Sequence, residues 1–402
     1  METTGDETKP SEEQTSHLPQ RVRKSSGAYP STALSDVKSR ARPKTSTNRE
    51  EAKQYDREGQ EGEDFDPSCE IFFTSEIQIN VTKEEKRINE FKILETIGKG
   101  AYSKVKHVLR EFKEGDEIFE EDYAMKMMHK PTLIRERCAI YGHDGEFEMS
   151  NFLEKVYCEI EIHSLLPSHS NIVRLYEMIE AEGHDYLYLI LEFCDLGQIS
   201  KWDFKVETYY RNEKIVTFIT EQHLKGKEFE SEDQKIEEVA KVIFRDVLKG
   251  LEYLHASCVA HRDIKPDNII INSKDGKAKI SDFSVSTHCP DHEARGYNCE
   301  GTVAFTAPET HVPDENGFLI LPTDIWSVGV TLYTFLSQIV PFYAQSELEI
   351  QLNAQKNDVP KLENYSDELN DIIQMMLTKD PTERPTASDL VDHPWLSEEV
   401  TE

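Results

Sequence analysis

The chain of 402 residues is long enough for one large catalytic unit plus further segments, and its 37% hydrophobic content can supply a core. A formal net charge of −31 argues against nucleic-acid binding, which needs a cationic surface, and against docking on anionic membranes. The seven cysteines are widely spaced and include no Cys-x-x-Cys pair, so reduced thiols in a cytoplasmic protein are expected.

Residues 1–68 are rich in Ser, Thr, Glu, Lys and Pro and poor in large apolar residues. Such a segment cannot bury enough surface to offset its ordering entropy, so a disordered tail is expected. Its basic clusters, Arg21, Arg23 and Lys24 and then Lys38, Arg40, Arg42 and Lys44, fit either a nuclear address or an ordinary solvated tail. Met1-Glu2-Thr3 is acidic with no apolar core, so no leader is expected. Ile325 to Leu336 is too short to span a bilayer.

Residues 69–90 read as an N-terminal extension. Phe91 to Thr96 alternates as a strand, Val105 to Arg110 returns, and Tyr123 to Met128 is a third short strand. Between the first two lies Gly98-Lys99-Gly100-Ala101-Tyr102-Ser103-Lys104-Val105. Two glycines between strands let a backbone turn approach phosphates closely, although alone the pattern is equally an ordinary turn. A dinucleotide site would need a helix after the glycines, and here a strand follows. Lys126, inside Ala124-Met125-Lys126, is costly in an apolar strand unless its ammonium finds a partner or snorkels to solvent. Residues 129–152 read as a long connection. Leu153, Val156, Ile160 and Leu165 have helical spacing, and Leu187 to Phe193 is an apolar strand.

Residues 200–232 are polar and read as an insert. Ser231-Glu232-Asp233-Gln234 offers a helix start, continued through Val239, Ile243, Val247, Leu251 and Leu254. Ile269–Ile271 and Ala278–Ile280, joined at Lys274-Asp275-Gly276, predict a small hairpin. Beyond Pro308 the pattern is helical. Strands first and helices later imply an α+β fold with two lobes, 91–193 and 194–396, and a short tail at 397–402. His288, Cys289, His292 and Cys299 lie close in sequence, but no second ligand pair has matching spacing, so they are read as coincidence rather than a zinc site.

The most specific run is His261-Arg262-Asp263-Ile264-Lys265-Pro266-Asp267-Asn268, between the long helix and the hairpin. Nineteen positions beyond Asp263 comes Asp282-Phe283-Ser284, then Gly301-Thr302, Ala307-Pro308-Glu309 and Asp324-Ile325-Trp326-Ser327-Val328-Gly329. So many ordered elements do not coincide by chance. Over about residues 86–397 the chain resembles the eukaryotic protein kinases. Lys265, two residues after Asp263, resembles the Ser/Thr branch. Ile97 to Ser103, Leu133-Ile134-Arg135, Val156-Tyr157-Cys158-Glu159-Ile160, Lys249 to His255 and Gly329 to Tyr333 are most similar to the calcium/calmodulin-dependent protein kinase kinases.

The resemblance implies the bilobed kinase fold, ATP and Mg2+, and protein substrates, other kinases among them. Asp263 would accept the substrate hydroxyl's proton, and Asp282 and Asn268 would hold magnesium. Lys126 would neutralise the α- and β-phosphates and Glu159 would fix Lys126. Lys265 would stabilise the moving γ-phosphoryl group, and Thr302 would support Asp263 and Lys265. The nucleotide would contact Ile97, Gly98, Lys99, Gly100, Ala101, Tyr102, Ser103, Val105, Ala124, Leu191, Glu192, Cys194 and Asp267 as well as Lys126, Asn268 and Asp282. Glu309 and Arg384 would form a buried pair.

Several positions depart from the family pattern. Ser284 replaces the glycine of the magnesium loop, which narrows φ, and Ser103 replaces the third glycine of the phosphate loop. These two motivate a rival reading as a non-catalytic pseudokinase scaffold, against which Lys126, Asp263, Asn268 and Asp282 are all present. A small-molecule kinase is disfavoured by Ala307-Pro308-Glu309. The position near Cys299 and Glu300 where the family carries its activating phosphothreonine holds no threonine, so Glu300 is expected to supply a fixed anion to Arg262. The basic amphipathic segment of the calmodulin-regulated group is missing before Glu402, so calmodulin control is not expected. Asp267 could pair with a substrate arginine or be a solvated loop acid, and Gln198 stands where a second acid would strengthen the first reading.

Overall fold

A nearly continuous apolar run along Tyr186–Glu192 decides how the first half of the chain packs. Leu187 and Leu189 enter one buried cluster, with Leu153, Val156 and Ile160, while Tyr188 and Ile190 enter another, with Phe91, Val108 and Met125. Successive strand side chains point to opposite faces, so this strand must be covered on both. The computed structural model describes residues 71–397 apart from 84, 115–116, 142–146 and 314. The tail at 1–68, with its basic clusters, and residues 398–402 lie outside the described residues.

The strands are β1 (Phe72–Thr74), β2 (Ile79–Val81), β3 (Lys86–Ile88), β4 (Phe91–Lys99), β5 (Ser103–Glu114), β6 (Glu117–His129), β9 (Leu175–Glu180) and β10 (Tyr186–Glu192). They form one eight-stranded sheet in the order β1-β9-β10-β6-β5-β4-β3-β2. The segment read as an extension is thus built into the sheet: β1 runs parallel to β9, and β3 pairs with β4. In the β5–β6 hairpin Val105 lies opposite Lys126, and in the β10–β6 pair Leu191 lies opposite Ala124.

The connection predicted over 129–152 is largely regular. It holds helix α1 (Lys130–Arg135) and the hairpin of β7 (Arg137–Tyr141) and β8 (Phe147–Asn151). Helix α2 (Phe152–Leu165) follows at once. The Asn151 side chain accepts from the Leu153 and Glu154 amides, satisfying two of the free donors at the helix start.

The polar stretch at 200–232 also differs from the expected insert. β11 (Ser200–Asp203) and β12 (Thr208–Arg211) pair, and helix α3 (Glu213–His223) follows. Ile215, Val216 and Ile219 are buried in the main core. Three such side chains contribute roughly 1.5–3 kcal/mol each. Their spacing on one helical turn was masked in the sequence by the lysines, glutamates and threonines between them.

Helix α4 (Glu232–Ala256) begins at Ser231, whose hydroxyl accepts from the Gln234 amide as its sequence predicted. β13 (Ile269–Asn272) and β14 (Lys277–Ile280) pair as the expected hairpin. Helix α5 (Leu321–Ser337) is buried along nearly its whole length, which an all-round apolar sequence requires. Helices α6 (Glu347–Lys356), α7 (Asp367–Met376) and α8 (Ala387–Val391) complete the helical half. No described helix is long and apolar enough to cross a membrane.

Candidate active site

Lys126 sits in the interior of β6, and its ammonium needs a partner there. Glu159, in the middle of α2, supplies one: Nζ donates to Oε1 at 2.8 Å and Oε2 at 3.0 Å. A third bond goes to Asp282 Oδ1 at 3.2 Å. Burial pulls the ammonium down, but the Asp282 and Glu159 charges override it and hold Lys126 above the ordinary lysine range. The Lys126 charge holds the Asp282 carboxyl down at about 2 against the opposing effect of burial.

A second cluster surrounds Asp263. Its Oδ1 accepts from the Thr302 amide at 3.0 Å and the Thr302 hydroxyl at 2.9 Å. Its Oδ2 accepts from Lys265 Nζ at 2.7 Å and Asn268 Nδ2 at 3.0 Å. Lys265 also donates to Thr302 Oγ1 at 2.7 Å. Four donors on one carboxylate fix its orientation. The loop that presents it is held from below by Asp324, fully buried on α5, which accepts from the His261 amide at 2.8 Å and the Arg262 amide at 2.7 Å. Both Arg262 and Asp282 have left-handed backbones, φ 66° and 63°. Such strain persists only where the surroundings over-determine it.

The turn of Gly98 to Ser103 closes with the Gly100 amide donating to the Ser103 carbonyl at 3.0 Å. A Cβ on Gly100 would stand 2.9 Å from Ser103 Oγ, so this glycine serves close packing rather than a left-handed φ. Tyr102 leaves the turn to pack on Phe152 at the start of α2, ring centroids 4.6 Å apart. At the far end of β10, the Glu192 carboxylate takes Lys279 at 3.1 Å and Asn272 at 3.0 Å, and Cys194 is buried just beyond.

The structure therefore gathers Lys126, Glu159, Asp282, Asp263, Lys265, Asn268 and Thr302 into two adjoining hydrogen-bonded clusters. A model of the protein kinase domain matches residues 91–396. This chain belongs to the protein kinase family. Among relatives, the kinase is 33% identical over 312 residues to serine/threonine-protein kinase GRIK2 of Arabidopsis thaliana, covering 78% of this chain and 66% of that protein. It is 31% identical over 326 residues to a calcium/calmodulin-dependent protein kinase kinase of Caenorhabditis elegans, covering 78% of this chain and 54% of that protein. Serine/threonine-protein kinase TOS3 of Saccharomyces cerevisiae is 31% identical over 347 residues, 79% and 55% of the two chains. The kinase thus spans between half and two thirds of the length of these three relatives.

Two expectations change. Glu300 does not pair with Arg262: its carboxylate takes Lys155 of α2 at 3.0 and 3.1 Å. Arg262 instead donates to the Asn298 carbonyl at 2.6 Å and to Thr287 Oγ1 at 3.3 Å. Asp267 is no solvated loop acid, since it accepts from the Tyr209 hydroxyl at 3.1 Å and burial raises its carboxyl. Neither Lys155 nor Tyr209 stood out in the sequence, because each is defined by a partner 145 or 58 positions away. Asp324 carried a signal, an acid inside an apolar run, which implies a buried carboxylate with donors to meet. Among the described residues, no three His, Cys, Asp or Glu side chains are grouped to hold a metal. His292 faces Cys258 at 3.7 Å, and Cys299 turns to Thr310.

Proposed function

We propose that this kinase transfers the γ-phosphoryl group of ATP to serine or threonine hydroxyls of proteins, other kinases among them. The observation that carries the reading is the Asp263 carboxylate held by Thr302, Lys265 and Asn268 within the same site as the Lys126–Glu159 pair. Phosphoryl transfer needs positioning and charge neutralisation more than covalent chemistry, and this cluster supplies both. A substrate hydroxyl would donate to Asp263 as its oxygen attacks the γ-phosphorus, and the bond to the β-phosphate oxygen would break to leave ADP. Lys265, already shared between Asp263 and Thr302, is placed to follow the γ-phosphoryl charge as it moves. Lys126 would carry the α- and β-phosphates.

Magnesium fits the donors: Asp282 is held ionised, and Asn268 turns its amide nitrogen to Asp263, which leaves its carbonyl oxygen for a hard cation. Bound there with the phosphates, the metal would neutralise charge on the transferring group. The rival scaffold reading loses one of its two motives. Ser284 has no left-handed φ, so serine denies this loop no conformation that only glycine could reach. Similarity to a calcium/calmodulin-dependent protein kinase kinase supports kinases as the substrates.

The test is transfer from radiolabelled ATP, with magnesium, to a panel of kinase substrates, comparing wild type with Asp263→Asn. Transfer to Ser or Thr by wild type, reduced more than about 100-fold in the variant, is expected. Equal background in both would overturn the reading.

A further inference from the structure

Helix α2 carries two charged contacts on one face. Glu159 holds Lys126, and Lys155, one turn earlier, holds Glu300 at 3.0 and 3.1 Å. Both members of the second pair are 18% exposed, so solvent screens it less than a surface bridge. Lys155 is further confined by the Phe152 ring, 5.7 Å from its ammonium.

Glu300 is equally constrained from its own side. It accepts from Asn298 Nδ2 at 2.8 Å, and the Asn298 carbonyl accepts from Arg262 at 2.6 Å. The next residue, Gly301, has φ +91°, and a Cβ there would lie 2.4 Å from the Arg262 carbonyl. After it comes Thr302, with two bonds to Asp263. The ion pair thus has one end, Lys155, one turn from the Lys126 partner on α2, and the other, Glu300, two residues from the Asp263 partner in the 282–309 segment. The two catalytic clusters are joined through it.

We propose that the Lys155–Glu300 ion pair is a positioning device: a fixed carboxylate docks α2 against the 282–309 segment, so the kinase assembles its site without a phosphate there. This rests on the phosphoryl-transfer reading. Glu300 performs the task expected of an activating anion: it bonds α2 directly through Lys155 and acts on Arg262 by charge, without a direct ion pair. A permanent carboxylate removes the switch that a reversible phosphate would provide.

The experiment uses the full chain with Glu300→Gln, Lys155→Met, which keeps the stem on Phe152, and the exchanged pair Lys155→Glu with Glu300→Lys. Each single variant should lower kcat about tenfold with KM for the protein substrate within about twofold, since alignment rather than substrate binding is lost. The exchanged pair should recover most of that loss, which ties the effect to the pair rather than to either side chain alone. Phosphatase treatment of wild type should leave kcat unchanged. Single variants with full kcat, an exchanged pair no better than either single variant, or a wild type silenced by phosphatase would each overturn the proposal. If wild type transferred no phosphate at all, the functional reading would fall on its own. The pair would then be judged by amide exchange over 152–165, which must rise in Glu300→Gln and return in the exchanged pair.

Discussion

Arg384 closes a two-pronged pair on Glu309, Nη1 to Oε1 at 2.6 Å and Nη2 to Oε2 at 2.7 Å, across 75 positions of chain. Its remaining donors reach the Thr378, Pro322 and Lys379 carbonyls at 2.7, 3.0 and 3.2 Å. The fork is therefore fully spent, and its guanidinium also lies 5.2 Å from the Trp326 ring centroid. Removing it would strand a largely buried carboxylate together with three carbonyls. Arg384→Met is expected to lower unfolding free energy by about 3–5 kcal/mol, measured by urea denaturation. Arg384→Lys should recover little of it, because an ammonium cannot reproduce the fork. A loss under about 1 kcal/mol for both would show that the pair does not anchor the 282–309 segment.

Gly301 gives a sharper test of how closely that segment must approach the catalytic loop. An alanine there would need a strained φ and would press its methyl against the Arg262 carbonyl at 2.4 Å and Asp263 Oδ1 at 3.2 Å. The segment can relieve this only by lifting Thr302 from Asp263. Gly301→Ala is expected to reduce kcat roughly 100-fold, a loss that a displacement near 1 Å can produce. Its thermal midpoint should fall by only a few degrees. Steady-state kinetics with a peptide substrate and a melting curve separate the two effects.

Much of the active site was legible because its chemistry is packed into short runs. Asp263, Lys265 and Asn268 lie within six positions, and their roles need only local backbone to bring them together. Lys126 was legible for another reason, since an ammonium in an apolar strand announces a buried partner. What the sequence hid was pairing at a distance. Glu300 was recognised as a needed anion, but its partner depends on how α2 meets the 282–309 segment, which no local pattern encodes. The β11–β12 hairpin and α3 were hidden differently: charged residues surround Ile215, Val216 and Ile219, and their polarity outweighed a three-residue apolar face. β1 escaped because a parallel strand pair needs a distant partner, here Met178 opposite Phe73.

Ser284 stands where the family pattern has glycine, and the backbone shows why the replacement costs the loop little. The left-handed backbone of this loop falls on Asp282, while Ser284 lies outside that region. Glycine there would gain no conformation that the folded loop uses. It would also add entropy to the unfolded chain. Ser284→Gly is expected to leave kcat within about threefold and to lower stability by about 0.4–1 kcal/mol. A large gain in kcat would mean that serine restricts a motion the reaction needs.

His163 makes stability depend on pH. It lies on α2 against Phe283, ring centroids 4.7 Å apart, and is 8% exposed. Burial, reinforced by the charges of Lys126 and His261, lowers its pKa to about 3. Its folded pKa therefore lies below the unfolded value of about 6.5, so below that pH the unfolded chain binds a proton that the folded chain refuses. This contribution is complete above about pH 6.5 and is lost as pH falls toward 3. At pH 5 the loss should reach about 2 kcal/mol. His163→Leu replaces the ring with an apolar group of similar bulk and cannot protonate. It should shrink the difference in urea midpoint between pH 7 and pH 5 by the equivalent of that amount. Equal pH dependence in wild type and variant would mean that His163 is protonated in the folded state, or that α2 opens readily enough to let it titrate.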